Sequence, residues 1–232
     1  MTYNEQYKKL IQTILTDGIE VEGRNGNTLA LPYYSFTIDD MSNDHKLLLR
    51  KMYYKGPEGE FKTFIDPTPL TNVKQFEENG CRYWKNWGDE HGNINLDYHQ
   101  ELHPQLEWVM DQVKNNPSSR RNRIELWNWG NVHDETLSLP CCFHGMDFSV
   151  LNNKLFMKWS QRSVDTTNGL PSDVYLAYLF MQHVANYANL EIGGCMFSLS
   201  NVHIYEENVE NATKLLDRTV EDYDKKLEFK LV

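Results

Sequence analysis

Hydrophobic residues recur every three to four positions in several stretches of the chain, a spacing that places them on one face of a helix. The first stretch ends at Gly18, a residue type that favours a helix C-terminus. A later one, residues 174–187, is apolar on nearly all sides, so we expect a long helix buried at the centre of the fold. The predicted helices cover about residues 4–17, 44–54, 104–114, 174–187 and 208–223, with Pro104 in the first turn of the third.

Runs of β-branched and aromatic residues between these helices predict strands. Residues 23–27 and the pair Asn152-Asn153 fit turns between neighbouring strands. Residues 56–69 contain three prolines and two glycines, which indicates a loop. Because no break in composition and no internal repeat divides the chain, we expect one α+β domain over residues 1–232. The predicted strands cover residues 19–21, 28–38, 124–129, 143–150, 154–163, 193–205 and 227–232.

Composition and charge exclude several classes of protein. Of 232 residues, 40% are hydrophobic and 24% are charged, which is the balance of a globular chain. Lys and Arg number 23 against 33 Asp and Glu, and the resulting net charge of −10 argues against DNA or RNA as a partner. The apolar runs are far shorter than the roughly 20 residues that span a bilayer, so we expect no membrane segment.

The N-terminal residues carry no secretion signal, so we expect a cytoplasmic protein. The four cysteines fit no disulfide framework and are expected to be thiols. Residues 141–144 (Cys-Cys-Phe-His) hold donors that suit zinc, but a structural zinc site needs about four ligands. Since no second pair stands at ligand spacing, no metal is expected. A cysteine in this segment is either a buried residue that packs in the core or a nucleophile, and composition does not decide between these two roles.

Two pairs of polar residues lie where predicted helices and strands end. Arg120 with Arg121 and Arg162 with Ser163 are suited to phosphate, because Arg forms bidentate, charge-assisted hydrogen bonds and Ser adds a donor. Each of these arginines taken alone is more commonly a solvated surface residue. Only their convergence in space makes a phosphate site.

Residues 139–205 resemble the thymidylate synthase superfamily in four motifs that keep the family's order and spacing. The resemblance extends upstream through residues 119–130, 83–98 and 7–26, and it is weakest over residues 39–70. It implies a thymidylate synthase-like α+β fold, with a mixed β-sheet packed with helices around a long buried helix and a sheet-to-sheet homodimer. The four motifs are residues 139–142 (Leu-Pro-Cys-Cys), 161–165 (Gln-Arg-Ser-Val-Asp), 169–173 (Gly-Leu-Pro-Ser-Asp) and 203–205 (His-Ile-Tyr).

The resemblance also implies a reaction. A one-carbon unit is transferred from the cosubstrate 5,10-methylenetetrahydrofolate to C5 of a pyrimidine nucleoside monophosphate, without a metal. By this resemblance Cys142, rather than Cys141, adds to C6 of the base as a thiolate, and the covalent bond makes C5 nucleophilic. Arg162 nearby favours the thiolate, and Tyr98 assists proton transfer at C5 through ordered water.

The family's catalytic glutamate has three candidate positions in this sequence. Counting back from Trp84 without gaps reaches Lys62, and matching the preceding predicted helix reaches Arg50. Glu60 fits only with a local insertion, but it is the carboxylate that proton transfer requires, so we nominate it. If no carboxylate reaches the base, the protein is instead a non-catalytic nucleotide-binding dimer.

By the same resemblance, the remaining contacts divide among phosphate, sugar and folate. The phosphate is bound from one subunit by Arg24, Arg162 and Ser163, and from the other by Arg120 and Arg121. The sugar hydroxyl is bound by His203 and Tyr205. The folate lies among Trp84, Trp87, Asp165 and Gly169. Because phosphate contacts come from both subunits, the implied homodimer is obligate.

Asp173 is the departure from the family that bears on the substrate. Thymidylate synthases have Asn there, whose amide donates to O4 and accepts from N3 of uracil. A carboxyl group instead accepts from the 4-amino group of cytosine and, when protonated, donates to N3. Phage deoxycytidylate hydroxymethylases carry Asp at this position, so the resemblance is closest to them. The ordinary alternative is a solvated Asp at a helix start.

The chain ends at Val232, so we expect the C-terminal segment that closes over folate in thymidylate synthases to be absent and water to enter. Addition of water to the exocyclic methylene gives a hydroxymethyl product, and addition of hydride gives a methyl product. We therefore predict a deoxycytidylate 5-hydroxymethyltransferase that makes a modified nucleotide for DNA. The alternatives are a deoxycytidylate methyltransferase, a thymidylate synthase or deoxyuridylate hydroxymethylase, and the non-catalytic dimer.

Two further residues depart from the family's motifs. Phe143 replaces the histidine that usually follows the nucleophile, and Asp147 replaces a glutamine.

Overall fold

The computed structural model describes residues 1–23, 25–133, 135–225 and 227–230. Its helices are α1 (Tyr3–Asp17), α2 (Lys55–Ile65), α3 (Lys74–Glu78), α4 (Asp97–Asn115), α5 (Trp129–Val132), α6 (Gly169–Ala188) and α7 (Val209–Leu216). Its strands are β1 (Ile19–Val21), β2 (Thr28–Ile38), β3 (Arg123–Glu125), β4 (Phe143–Leu151), β5 (Lys154–Gln161), β6 (Val164–Asp165) and β7 (Glu191–Tyr205). Short 3-10 turns cover Tyr83–Trp87, Glu206–Asn208 and Val220–Asp222.

The strands form one mixed sheet in the order β1-β2-β7-β5-β4-β3, and β6 also pairs with β7. β5 and β6 run parallel to β7, and the other pairs are antiparallel. The register between β6 and β7 places Asp165 opposite His203. The end of β5, the short β6 and the end of β7 therefore meet at one edge of the fold.

The core lies between this sheet and the helices, around α6. Leu176, Ala177 and Phe180 of α6 are fully buried, and the helix packs against α2, α4, β5 and β7. On the sheet, Phe36 of β2 and Phe197 of β7 stack with their ring centroids 4.9 Å apart. The predicted fold class, α+β with a mixed sheet packed with helices around a long buried helix, is confirmed. None of the described helices is both long and apolar enough to cross a membrane.

Several local predictions are confirmed where the signal is short-range. Helix α1 begins at a capping box, in which the Thr2 side chain and the Glu5 side chain bind each other's backbone N–H groups. Strands β1 and β2 have the predicted bounds. The predicted turn between β4 and β5 places Asn152 and Asn153 at φ of 49° and 60°, a left-handed conformation that Asn tolerates.

The predictions for residues 44–54 and 56–69 are wrong. Residues 44–54 form no helix, and α2 occupies Lys55–Ile65 instead. Pro57 lies in the first turn of α2, where its missing N–H leaves no hydrogen bond unmade. At Gly59, α2 approaches the next turn so closely that a Cβ would lie 2.4 Å from the carbonyl oxygen of Asn79. The glycine thus marks close packing of a helix and not a flexible loop.

Helix α4 starts earlier than its proline suggests. It begins at Asp97, so Pro104 lies inside the helix and not in its first turn. Leu102, Leu106 and Val109 are buried on both sides of the proline. Packing of this apolar face holds the helix through a residue that disfavours it.

Other differences concern the ends of elements. The strand predicted over residues 124–129 is limited to Arg123–Glu125. The helix predicted over residues 208–223 ends at Leu216, and a 3-10 turn follows at Val220–Asp222. Residues 227–230 are not a strand, and the rest of that predicted strand, residues 231–232, lies outside the described residues.

Candidate active site

Twelve of the fifteen predicted site residues line one cavity of about 730 Å³. It lies between α2, the 3-10 turn after α3, the N-terminal turns of α4 and α6, and the edge where β5, β6 and β7 meet. Its volume is that of a site for a drug-sized or cofactor-sized ligand. The predicted residues that line it are Glu60, Trp84, Trp87, Tyr98, Cys142, Arg162, Ser163, Asp165, Gly169, Asp173, His203 and Tyr205.

Three predicted phosphate ligands are not among these residues. Arg120 and Arg121 are exposed in the segment between α4 and β3 and do not line the cavity. Arg24 lies outside the described residues. Within one copy of the described chain, Arg162 and Ser163 are therefore the predicted phosphate ligands that reach the cavity.

The cysteines and acidic residues of the described chain form no metal centre. No three His, Cys, Asp or Glu side chains among the residues in the structure lie together as metal ligands would. All four cysteines are free. Cys142 is the one of the four that lines the cavity.

Cys142 lies immediately before β4, and its backbone N–H donates a hydrogen bond to the Tyr98 hydroxyl. Burial raises the pKa of the Cys142 thiol above its ordinary value, and the Arg162 guanidinium acts in the opposite direction. Negative charge on Asp173 or Glu60 raises this pKa further. The thiolate is therefore favoured when Arg162 is close and the two carboxyl groups are neutral.

Arg162 follows β5 and is fixed to the segment that carries the nucleophile. Its Nε donates to the carbonyl oxygen of Cys141 at 2.8 Å, and its Nη2 donates to that of Pro140 at 3.0 Å. The guanidinium carbon lies 5.6 Å from the centroid of the Trp127 ring. Because a guanidinium has five N–H donors, others remain for an anionic ligand in the cavity.

Glu60, on α2, is 7% exposed and has a hydrogen bond to each carboxyl oxygen. Trp84 Nε1 donates to Oε1 at 2.8 Å, and the Tyr83 hydroxyl donates to Oε2. Burial raises the pKa of Glu60 to about 7, Asp173 raises it as well, and the two hydrogen bonds act to lower it. A carboxyl group with this pKa exchanges protons readily near neutral pH, as a general acid or base must.

The other two candidate positions for the catalytic glutamate have different surroundings. Lys62 is exposed on α2 and does not line the cavity. Arg50 lines the cavity but its guanidinium donates to the carbonyl oxygen of Thr167. The structure thus brings the nominated carboxylate, Glu60, into the same cavity as Cys142.

Asp173 lies in the N-terminal part of α6. Gln161 Nε2 donates to its Oδ2 at 2.7 Å, and Gln161 Oε1 accepts from Trp159 Nε1 at 3.0 Å. Because the indole N–H is only a donor, this second bond fixes which end of the Gln161 amide faces Asp173. Burial raises the pKa of Asp173 to about 7. Near neutral pH, Asp173 therefore exists both as a carboxylate and as a neutral acid.

His203 and Asp165 face the cavity from paired strands. The His203 ring lies with Nδ1 2.9 Å from the carbonyl oxygen of Asn201, so Nδ1 carries the proton and Nε2 of the neutral ring is an acceptor. Asp165 Oδ1 accepts from the backbone N–H of Thr167 at 2.8 Å and from its hydroxyl at 2.7 Å. An acceptor nitrogen at this position suits a sugar hydroxyl.

The surface predicted to hold folate contains aromatic rings and an opening at a glycine. Trp84 and Trp87 line the cavity on the side of the 3-10 turn. A Cβ at Gly169 would lie 3.8 Å from Asp173 Oδ2 and 3.9 Å from Asp165 Cβ, so the glycine leaves space between these side chains. Flat rings and an open backbone fit a planar heterocycle such as the pterin of a folate.

The cavity residues to which the sequence analysis gave no role include Gln161, Tyr83 and Arg50. Gln161 stands within a recognised motif, but its contact with Asp173 comes from the fold. Tyr83 adjoins Trp84 in the sequence, yet its hydrogen bond to Glu60 depends on the position of α2. Arg50 is buried, with its guanidinium carbon 4.6 Å from the centroid of the Phe229 ring, a partner far away in the sequence.

Comparison with known proteins agrees with this geometry. Residues 5–231 match the family model described as thymidylate synthase. Among solved structures, the thermostable thymidylate synthase A from Bacillus subtilis has the same fold, with a TM-score of 0.85 and 21% identity over 100% of this chain and 99% of that chain. The chain belongs to the thymidylate synthase family. Members of this family transfer a one-carbon unit from methylenetetrahydrofolate to C5 of a pyrimidine nucleoside monophosphate.

Proposed function

We propose that the protein is a deoxycytidylate 5-hydroxymethyltransferase that uses methylenetetrahydrofolate and water. The observation that carries this proposal is Asp173, a carboxyl group with a pKa of about 7 in the same cavity as Cys142. The family supplies the one-carbon transfer, and Asp173 supplies the choice of base. The product is a modified nucleotide that serves DNA synthesis.

Recognition of cytosine follows from the hydrogen bonds that Asp173 offers. Cytosine presents a 4-amino donor beside an N3 acceptor, and a neutral carboxyl group matches this pattern with one acceptor oxygen and one O–H donor. Gln161 donates to Oδ2, which keeps Oδ2 as an acceptor and favours the proton on Oδ1. Uracil presents the reverse pattern, so its O4 faces an acceptor. A buried mismatch of this kind is strongly rejected.

Covalent activation of the base is assigned to Cys142. Its thiolate forms a bond to C6, and that bond breaks again when the product is released. Arg162 acts on both partners, because it lowers the pKa of the thiol and holds the phosphate together with Ser163. A bound phosphate at Arg162 thus places C6 beside the nucleophile.

Proton transfer at C5 is assigned to Glu60 and Tyr98. The proton that leaves C5 passes to Glu60, whose pKa of about 7 suits either direction of transfer. The Tyr98 oxygen accepts the backbone N–H of Cys142, which holds the hydroxyl group beside the nucleophile, where it orders water near C5.

The folate supplies the one-carbon unit when it is bound. Trp84, Trp87, Asp165 and Gly169 line the part of the cavity assigned to it. Trp84 is held by its hydrogen bond to Glu60, so the ring that faces the folate and the group that moves the proton are fixed together.

Formation of a hydroxymethyl product requires water at the exocyclic methylene carbon. The cavity opens to solvent, and polar side chains such as Asn25, Asn168 and Ser172 line it. Water therefore enters the site. The bond between the methylene carbon and the folate nitrogen breaks first, and tetrahydrofolate leaves without being oxidised. Oxygen from water then bonds to the exocyclic methylene carbon, a water proton is released, and the bond between Cys142 and C6 breaks to restore the C5–C6 double bond.

The proposed enzyme is a homodimer joined through its sheets. Tyr33 on β2 is 77% exposed and Met196 on β7 is 41% exposed, both on the face opposite Phe36 and Phe197 of the core. A second copy stacked on this outer face buries these side chains. It also offers a place for Arg120 and Arg121, which do not line the cavity of their own subunit.

The proposal is tested by incubating the protein with dCMP or dUMP and methylenetetrahydrofolate, with Cys142→Ser as the control. Product mass and the oxidation state of the folate are recorded. We expect 5-hydroxymethyl-dCMP and tetrahydrofolate from dCMP, and no product with the control. A 5-methyl product with dihydrofolate identifies a reductive methyltransferase and contradicts the proposal, as does nucleotide binding without turnover.

A further inference from the structure

The hydroxyl group of Tyr83 lies between Glu60 and Cys81. It donates a hydrogen bond to Glu60 Oε2, and it is hydrogen-bonded to the Cys81 thiol. Burial raises the pKa of the Cys81 thiol far above its ordinary value, so this thiol keeps its proton. Because the Tyr83 hydroxyl donates to Glu60 Oε2, its proton points toward Glu60.

The ring of Tyr83 is held in place by a glycine of α2. A Cβ at Gly56 would lie 2.9 Å from Tyr83 Cε1, which is closer than real Cβ contacts. Gly56 precedes Glu60 by one helical turn, so both residues are on the same face of α2. The Tyr83 ring packs against the backbone of Gly56, where no side chain intervenes. Its hydroxyl group reaches the carboxyl group of Glu60, one helical turn after Gly56.

The other groups around Glu60 do not favour its charge. Asp173 on α6 raises the pKa of Glu60. The thiol of Cys142 and the hydroxyl of Tyr98 also face Glu60, and neither ionises easily beside a carboxylate. Besides Tyr83, Trp84 is the donor to the carboxyl group among the described residues. Two hydrogen bonds thus oppose burial and repulsion.

We propose that Tyr83 is a positioning residue for the reaction, whose hydroxyl group holds Glu60 ionised and oriented in the cavity. This rests on the proposed function, in which Glu60 moves the proton at C5. Each carboxylate oxygen has two acceptor directions, so one hydrogen bond to each leaves acceptors for water and substrate. Without the Tyr83 hydroxyl, Oε2 loses its donor and the carboxyl group rotates about the bond to Trp84.

The direct test is the pKa of Glu60, measured by carbon NMR of carboxyl groups in the full-length protein, with Glu60→Gln to assign the resonance. Tyr83→Phe removes the hydroxyl and keeps the ring. The matched control is Tyr187→Phe, which removes a hydroxyl from an exposed ring outside the cavity. We expect the pKa of Glu60 to be higher by about 1 in Tyr83→Phe and unchanged in the control. Equal values in the two variants overturn the inference.

The second readout is the dependence of kcat on pH with dCMP. The part of the pH profile of kcat that reflects ionisation of Glu60 is expected to move to higher pH in Tyr83→Phe and to remain unchanged in Tyr187→Phe. If the pH profile of kcat is the same in Tyr83→Phe as in the wild-type protein, the inference is overturned. A raised Glu60 pKa in a protein that forms no product supports the role of Tyr83 and contradicts the proposed function, so the two failures are distinguishable.

A second variant acts through the ring alone. Gly56→Ala leaves every hydrogen-bonding group in place but pushes the Tyr83 ring from its position against α2. We expect this variant to raise the pKa of Glu60 as Tyr83→Phe does. An unchanged Glu60 pKa in a folded Gly56→Ala protein contradicts the proposed fixation of the ring.

Discussion

Gln161 and Asp173 form a hydrogen-bonded pair at the cavity wall, with Gln161 Nε2 2.7 Å from Asp173 Oδ2. Trp159 fixes the other end of the Gln161 amide. The carboxyl group is therefore supplied with one donor and held in one orientation, while burial raises its pKa to about 7. A carboxyl group oriented in this way can distinguish cytosine from uracil, because the two bases exchange hydrogen-bond donor and acceptor between the substituent at C4 and N3.

Replacement of Asp173 tests this assignment. Asp173→Ala removes both the acceptor for the 4-amino group and the donor to N3 of cytosine. We expect kcat/KM for dCMP to fall by about 100-fold or more, with no gain of activity with dUMP. Asp217→Ala, at an exposed residue at the end of α7, is the control and is expected to leave both values unchanged. Retention of the dCMP preference in Asp173→Ala contradicts the role of Asp173.

Binding of dCMP is expected to weaken with increasing pH. The neutral Asp173 donates to N3 and is present below its pKa of about 7, and ionisation above that value removes the donor. Between pH 7 and 9 the phosphate, with a second pKa of about 6, stays a dianion. We expect the dissociation constant from calorimetry to rise by up to about tenfold for each pH increase of one.

The matched variants separate Asp173 from its neighbour. Asp173→Ala is expected to bind dCMP weakly at every pH in this range, whereas Glu60→Gln keeps the pH dependence. A dCMP affinity of the wild-type protein that stays constant from pH 7 to 9 excludes a protonated Asp173 in the complex.

Arg162 is expected to control the reactivity of Cys142. Arg162→Lys loses the paired bonds to the carbonyl oxygens of Cys141 and Pro140 and moves the positive charge away from the thiol. Since Arg162 lowers the pKa of Cys142, the variant has less thiolate at pH 8. Alkylation by iodoacetamide, followed by mass spectrometry of the Cys142 peptide, is expected to be several-fold slower. Arg82→Lys, at an exposed position, serves as the control, and equal rates in both variants are inconsistent with this role.

Gly59 is expected to be required for the position of α2. In Gly59→Ala, the new Cβ meets the carbonyl oxygen of Asn79 and the backbone nitrogen of Cys81, neither of which moves easily. We expect the free energy of unfolding to fall by about 1–3 kcal/mol. Lys62→Ala, exposed on the same helix, is expected to change it by less than about 0.5 kcal/mol. Urea denaturation measures both, and an unaffected Gly59→Ala protein would show that the helix has room to shift.

A homodimer with shared sites predicts complementation between inactive subunits. Cys142→Ser lacks the nucleophile, and a variant with Arg120→Ala and Arg121→Ala lacks the phosphate ligands given to the partner. Each is expected to have little activity alone. Mixed after unfolding and refolding together, they are expected to regain about a quarter of the wild-type activity, because half of the dimers carry one intact site. No recovery in a mixture shown to contain heterodimers contradicts a shared site.

Residues whose roles depend on fixed motif spacing could be located from the sequence. Cys142 and Asp173 stand in motifs with defined order, and both line the cavity as expected. The pattern of apolar residues also predicted α6, because a helix that is apolar on nearly all sides must be buried.

Features that depend on packing between distant segments could not be predicted. Gly56 and Gly59 suggest a loop by composition, but in the fold they allow α2 to approach Tyr83 and the backbone at Asn79. That approach is what carries Glu60 into the cavity. The sequence alone shows neither which backbone a glycine packs against nor which of the candidate positions for the glutamate reaches the cavity.

The most direct measurement is mass spectrometry of the covalent complex formed with 5-fluoro-dCMP or 5-fluoro-dUMP and methylenetetrahydrofolate. Fluorine at C5 prevents the loss of a proton there, so the bond between the nucleophile and C6 persists. We expect a nucleotide adduct on the Cys142 peptide with 5-fluoro-dCMP, and none with 5-fluoro-dUMP. An adduct with 5-fluoro-dUMP alone, or on a residue other than Cys142, would contradict the proposed enzyme.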